Sequence, residues 1–457
     1  MRGPNTHSMR GLARSLSAIC LLALVLRAIV IAATAKMGLF ADMQDYHDRA
    51  AYLLKTGTLY PDAFRVPLFP IFIAGVFKFA PESLIAVRAG QALIGTGTVA
   101  LTYFIARRMA TDRGALVAAL IVAIYPALLL YSAYIMAETL FAFFVVLVVL
   151  LWINERWWLA PLAGVAAGAA TLTRSVGLAL LAGMVLAELW SAQSDRSRTG
   201  ARAFARVTLL ILGFAVALAP WVQRNYAIYH RFVPTDTSSG FNVLLGNYPG
   251  ATGRHPGLPA VEEASRRYGT NTRNDLERSD AGMKIAREFV MREPSRAARL
   301  ALFKVAYLLG LEGREHAWGY SLHLQGRRNA RTIWVWGVAI LISFPLLMIG
   351  ASIGAWRPGV TANLTGRLLL MTLAAVVLLH IASFGDSRFH LPWVPLLTVL
   401  FARGVAPLYT ERWSASRVAA LVVSLAVLAF VWRSQAPELL SVLPRLAESP
   451  VPLQLPF

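Results

Sequence analysis

One cysteine, Cys20, stands in 457 residues. It falls inside an apolar run, so disulfides play no part in this chain and the redox compartment is not legible from it. Acidic residues are scarce as well, 24 against 44 Lys and Arg, for a formal net charge of +20. Charges of both signs together make up 15% of the chain while hydrophobic residues reach 57%, too few charges to clothe a soluble domain of this size. His47 and His390 are conceivable metal ligands, but their spacing matches no recognised site; no cofactor is expected, and a divalent metal stays open. The GTG at 95–97 is not a phosphate loop, because no helix N-terminus outside an apolar run follows it. No nucleic-acid partner is expected.

What the chain has in quantity is apolar runs long enough to cross ~30 Å of hydrocarbon. They trace an all-α, polytopic transmembrane helical bundle of about 11 spans: 15–35, 83–105, 115–131, 134–153, 157–173, 176–190, 205–226, 331–352, 367–384, 391–409 and 417–434. Two further pieces, 67–79 and 297–311, are too short or too interrupted to span and read as re-entrant or interfacial helices. The ATA at 33–35 resembles a leader cleavage site, but the apolar core before it is longer than a leader's, which favours a retained span.

Short loops set the orientation. Arg2, Arg10 and Arg14 precede the first span, Arg107, Arg108 and Arg113 follow the second, and Arg196, Arg198, Arg202 and Arg206 follow the sixth. Arg357, Arg367, Arg412 and Arg417 fill later loops of the same side, which the positive-inside rule makes the cytoplasm. The first loop, ADMQDYHDRA at 41–50, and the long polar stretch 227–330 then face out; the arginines of so long a loop do not vote. The reading is one transmembrane domain over 1–435, with 227–330 inserted as an outer loop and 436–457 as a short outer tail. The membrane expected is a bacterial inner (cytoplasmic) one.

On this trace the unusual charges gather at one surface. Asp42 and Arg65 lie in the first outer loop; Glu138, Arg174, and Asp386 with Arg388 fall at outer ends of spans. Ionisable groups at membrane depth are costly and usually face a cavity or one another, so the pattern points to one charged cavity opening on the outer leaflet. Plainer readings stand beside this one. Arg88 and Arg174 can snorkel to outer headgroups, Glu138 can be a structural partner of either, and Asp45 and Asp48, flanking His47, can be solvated surface. Gly164 and Gly168, at GxxxG spacing, read as helix packing.

The stretch DMQDYHDRAAYLLKTGTLYPDAFRVPLFPIFIA resembles the first extracytoplasmic loop of GT-C glycosyltransferases. It is most similar to the bacterial glycosyltransferase family 39 group, which includes protein O-mannosyltransferases and lipid A aminoarabinose transferases. The match places Asp42 and Tyr46, then Arg65 and Pro67, on the family's pattern. It continues in ARRMATDRGALVAALIVAIYPALLLYSAYIMAETLFAFF, GAATLTRSVGL, LLGNYPGATG and GDSRFHLPWVPLL, and covers most of residues 20–405.

The resemblance implies a GT-C fold and transfer of a sugar from a polyprenyl-phosphate carrier to an acceptor hydroxyl outside the cytoplasmic membrane. It implies an acid that takes the hydroxyl proton while the oxygen attacks the anomeric carbon from the face opposite the phosphate, and cations that hold the departing phosphate. Asp42 carries over as the base. Arg65, Arg174 and Arg388 are the phosphate candidates, with Arg65 open to pairing with Asp42 instead. Tyr46, His47, Glu138, Asn247, Asp386 and His390 are expected to line the cavity. The partners implied are the lipid-linked donor, a lipid, glycan or protein acceptor, and membrane lipids. Two other classes remain: a secondary transporter of an anionic solute, whose site would sit near midplane between repeated halves, and a non-catalytic lipid-binding membrane protein.

Overall fold

The computed structural model describes residues 6–40, 42–194, 199–255, 266, 274–313, 330–406 and 412–448. They form helices and no named strand. Seven helices are long and apolar enough to cross a membrane: Arg10–Ala33 within α1 (Thr6–Ala33), α4 (Leu84–Ala106), Ser175–Ser194 containing α9 (Leu178–Ser194), α10 (Gly200–Tyr229), Val335–Trp356 within α14 (Ala330–Trp356), α15 (Leu364–Ala382), and Ala415–Pro437 within α17 (Ala415–Glu448). The count of 11 is therefore not reached by length and composition. The four remaining apolar runs fold as shorter helices: α5 (Asp112–Ile124) with α6 (Pro126–Tyr131), α7 (Glu138–Ile153), α8 (Leu159–Thr173) and α16 (Val394–Gly404). The run over 115–131 is broken for a chemical reason. Pro126 has no N–H and disfavours helical backbone in the residue before it, and Tyr125 is extended, at φ −62°, ψ 116°.

Small residues decide which helices touch. A Cβ on Gly164 would collide with the backbone of Leu210, and one on Gly168 would meet Ala217, so α8 lies against α10 as the GxxxG spacing implied. α9 packs on α15 and α14 on α16, while α4 touches α1, α5 and α7. Arg88 does not snorkel. It is fully buried and donates to the backbone oxygens of Ala133, Thr34 and Met37, tying the end of α1 to the turn before α7.

The segments between spans carry their own helices. The first loop holds α2 (Asp42–Thr56) and α3 (Leu68–Phe79); the long one holds α11 (Ser238–Gly246), α12 (Asp275–Arg292) and α13 (Pro294–Leu308). The pieces 67–79 and 297–311, read as non-spanning, are thus α3 and most of α13. The helix of the last span runs unbroken past 435 to Glu448.

Candidate active site

α2 opens with Asp42 and Asp45 in its first turn, where the unpaired N–H groups and the helix dipole favour negative charge. Tyr46, one turn beyond Asp42 and so on the same face, is buried with its ring edge-on to Phe69 of α3 at 4.9 Å. That contact fixes α2 against α3 and turns Asp42 towards Arg65, whose guanidinium lies 5.2 Å from the Tyr46 ring.

From there the ionic groups form one alternating chain. Arg65 Nη2 donates to Asp42 Oδ1 at 2.6 Å and Arg65 Nε to Asp45 Oδ2 at 2.8 Å. Arg388 Nη1 donates to the other Asp42 oxygen at 2.7 Å, and its Nε donates to Glu138, which also accepts from Arg174. Beyond Asp45, Arg49 donates to Asp45 Oδ1 at 2.9 Å and to Asp62 Oδ1 at 2.7 Å. Four arginines thus alternate with four carboxylates, which makes a buried charge cluster tolerable. Exposure varies along the chain. Glu138 is 1% and Arg388 7% exposed, whereas Asp42 is 26% and Asp45 35% exposed. Glu138 and Arg388 form a closed floor, and the open mouth begins at Asp42 and continues through Arg65 to Asp45.

Burial opposes a charge on Asp42, but Arg65 and Arg388 outweigh it and hold the carboxyl far below its usual range. Burial likewise works against the charge on Arg65 and on Arg388, and Asp42 and Glu138 respectively lead the pull that raises them. Asp42 is therefore an anion throughout the physiological range. One Glu138 oxygen, Oε2, has no hydrogen-bond partner among the described residues.

The structure brings together Asp42, Arg65, Tyr46, Glu138, Arg174 and Arg388. It does not bring the two histidines. His47 faces Asp48, with Nδ1 3.2 Å from Oδ1, and its ring sits against Phe77 of α3. It points along α2 rather than into the cluster, since one position on a helix is about 100°. The expectation that His390 lines the cavity also fails. Nδ1 lies 2.7 Å from Leu308 O and Nε2 3.1 Å from Glu312, which also accepts from Tyr125, while the ring stacks on Phe344 at 3.6 Å. This buried knot anchors the turn that carries Arg388. Asp386 serves the same turn, accepting from Arg388 N at 2.9 Å.

Asn247 is not in the cavity either; it belongs to a clamp that the sequence pattern does not announce. Lys304 of α13 is buried, with no carboxylate partner among the described residues, and donates to Asn247 Oδ1 at 2.7 Å and Ile381 O at 2.9 Å. Asn247 in turn donates to Ala382 O at 2.8 Å, and Gly385 N donates to Gly253 O at 2.8 Å. The long loop between α10 and α14 thus grips the end of α15 just before Arg388. A Cβ on Gly246 would strike Ser383 O, so only glycine allows this approach. A lysine within an amphipathic helix gives no signal for such a role, but the apolar neighbours of Lys304 at helical spacing, Leu300 and Leu308, mark its face as buried. Beside the Arg388 turn lies a small recess walled by Arg254, Tyr307, Leu311, Ser387 and Leu439.

The family model described as dolichyl-phosphate-mannose-protein mannosyltransferase matches residues 12–232. That range holds Asp42, Arg65, Glu138 and Arg174 but stops short of Arg388. Among solved structures, the chain is similar to the Archaeoglobus fulgidus oligosaccharyltransferase in its apo form, with TM-score 0.53, 15% identity, and coverage of 92% of this chain and 56% of that one. It is also similar to the oligosaccharyltransferase AglB of the same organism in complex with an inhibitory peptide and a dolichol-phosphate, with TM-score 0.51, 16% identity, and coverage of 94% and 56%. The chain therefore spans a little over half the length of these relatives, and the likeness is one of fold. No curated protein matches in sequence. The fold is of the GT-C type, and residues 12–232, just under half of the chain, match the family model.

Proposed function

We propose that this chain is an integral-membrane glycosyltransferase that moves a sugar from a polyprenyl- or dolichyl-phosphate carrier to an acceptor hydroxyl. The observation that carries the reading is Asp42 at the mouth of the cluster, ionised and held at both oxygens by Arg65 and Arg388. In the proposed step the acceptor O–H gives its proton to Asp42 as its oxygen bonds to the anomeric carbon. The bond from that carbon to the phosphate oxygen breaks on the opposite face, and the phosphate leaves with the electron pair, so the configuration inverts. Arg65 aims Asp42, Arg388 opposes the charge developing on the phosphate, and Arg174 with Glu138 fixes Arg388 from below. Tyr46 packs under Arg65.

The recess beside the Arg388 turn suits the stretch of lipid next to the phosphate that Arg388 holds, with Arg254 and Ser387 as polar walls and Tyr307, Leu311 and Leu439 as apolar ones. The family description supports a protein acceptor; lipid and glycan hydroxyls are the competing outcomes. The orientation proposed puts α2, α3 and α11–α13 outside the cytoplasmic membrane, in the periplasm of a bacterial cell.

The test is extraction of the lipids that copurify with the protein, with mass spectrometry for a polyprenyl phosphate. It is followed by single-turnover transfer from a polyprenyl-phosphate-linked sugar to membrane protein, lipid and glycan fractions. Transfer to one fraction that Asp42→Asn abolishes supports the reading. Tight binding of polyprenyl phosphate with no transfer to any fraction favours the non-catalytic lipid-binding class.

A further inference from the structure

Helix α13 is amphipathic across its axis and joins the catalytic turn to something outside the bundle. Leu300, Lys304 and Leu308 form its buried stripe. On other faces Leu302 is 72% and Phe303 53% exposed, with Arg299 exposed one turn earlier. Large apolar groups so displayed need a partner.

Their height in the molecule identifies it. Lys304, next in sequence to Phe303, donates to Ile381 O in the last turn of the span Leu364–Ala382. Just past the helix, Leu309 O accepts from Trp432 and Leu311 N donates to Gln435, both at the end of the span Ala415–Pro437. Leu302 and Phe303 therefore lie level with the ends of two spans, facing away from the bundle. Arg299 lies one turn before Phe303 on the same helix. An apolar step with a cation one turn away, level with the ends of spans, matches the boundary between acyl chains and phosphate headgroups.

We propose that α13 is an interfacial membrane anchor, with Leu302 and Phe303 seated in the acyl boundary of the outer leaflet and Arg299 on its lipid phosphates. The occupant of this face is the bilayer surface. Because the opposite side of the same helix carries Lys304, the anchor fixes the height of the Arg388 turn relative to the leaflet that holds lipid substrates.

The test uses full-length protein in nanodiscs, with Cys20→Ser as background. Single cysteines Leu302→Cys and Phe303→Cys, and Lys284→Cys on α12 as the aqueous control, are labelled with an environment-sensitive fluorophore. The discs contain phosphatidylcholine and phosphatidylglycerol, with nitroxide-labelled lipid at a shallow or a deep acyl position. At 302 and 303, shallow nitroxide should quench at least roughly threefold more than at 284, and aqueous iodide correspondingly less. Arg299→Gln should reduce the gain in shallow quenching that phosphatidylglycerol gives. Iodide access at 302 and 303 equal to that at 284 overturns the proposal. So does protection from iodide without lipid quenching, which would make this face a contact with a second copy. Neither readout depends on glycosyl transfer, so the anchor can fail while the proposed function stands, and the reverse.

Discussion

Asp42→Asn keeps the shape of the side chain and removes its charge, and the cluster predicts a fold that survives with its chemistry lost. Arg65 keeps Asp45 at 2.8 Å and Arg388 keeps Glu138, so neither arginine is left without a carboxylate. The folding penalty should then be about 1–2 kcal/mol, the scale of charge-assisted bonds weakened at a partly exposed site. Loss of the base should cut transfer by about 100- to 10,000-fold. Glu138→Gln should behave in the opposite sense. Glu138 is 1% exposed and is the one carboxylate paired with Arg174 among the described residues, so its charge loss leaves a poorly compensated cation over a buried floor. Breaking such a pair costs about 3–5 kcal/mol, and the loss should appear as reduced folded yield. The assays are thermal unfolding in detergent by tryptophan fluorescence and single-turnover transfer from a lipid-phosphate-linked sugar. Asp45→Asn is the control, with transfer retained within about tenfold. If Asp42→Asn transfers normally while Asp45→Asn or Glu138→Gln folds and is inactive, Asp42 is not the base.

Arg388→Lys cannot serve Asp42 and Glu138 through separate nitrogens of a planar fork, so transfer should fall by about 10- to 100-fold with only partial recovery relative to Arg388→Ala. Gly246→Ala, whose new methyl meets Ser383 O, should shift the Arg388 turn and lower turnover more than donor affinity, read as kcat against KM. Burial pulls the Lys304 ammonium down to about 8 from 10.5, so between those values the unfolded chain binds the extra proton and stability should rise with pH. Lys304→Met should remove that rise, measured as Tm from pH 7.5 to 9.5. Asp42 works in the other direction. Its lowered value contributes stability above the unfolded value of 3.8 and loses it as pH falls further, so wild type and Asp42→Asn should converge in stability under strong acid.

The parts of the site that could be read from the sequence were those where a charge contradicts its surroundings. Asp42, Glu138, Arg174 and Arg388 stand at the ends of apolar runs, where an unpaired ion is too costly to keep, and the structure joins all four in one chain. His47 and His390 were misplaced because sequence proximity to Asp42 and Arg388 says nothing of side-chain direction; one residue along a helix or a tight turn is enough to aim elsewhere. Lys304 and Glu312 were missed because their partners come from distant segments, Asn247 and Ile381 for one and Tyr125 and His390 for the other. Hydropathy also sums over a kink. Tyr125–Pro126 splits a run that composition reads as continuous.

The alternation of charges also bears on how such a site is loaded. Four arginines already neutralised by four carboxylates offer no net positive potential, so a lipid phosphate arriving at the mouth must share Arg65 or Arg388 with Asp42. Any weakening of those bonds lets Asp42 drift upward from its depressed value and makes it a better proton acceptor. On the proposed reading, donor arrival and base activation are coupled through the same two guanidinium groups, and Asp42 is a weaker proton acceptor in the free site than in the phosphate-loaded one. A donor lacking its phosphate charge should therefore lose turnover beyond what its weaker binding explains. A methyl ester of the donor's phosphate, compared with the natural diester at saturating concentration, measures that excess. Equal turnover for the two at saturation would mean that Asp42 is as basic in the empty site as in the loaded one.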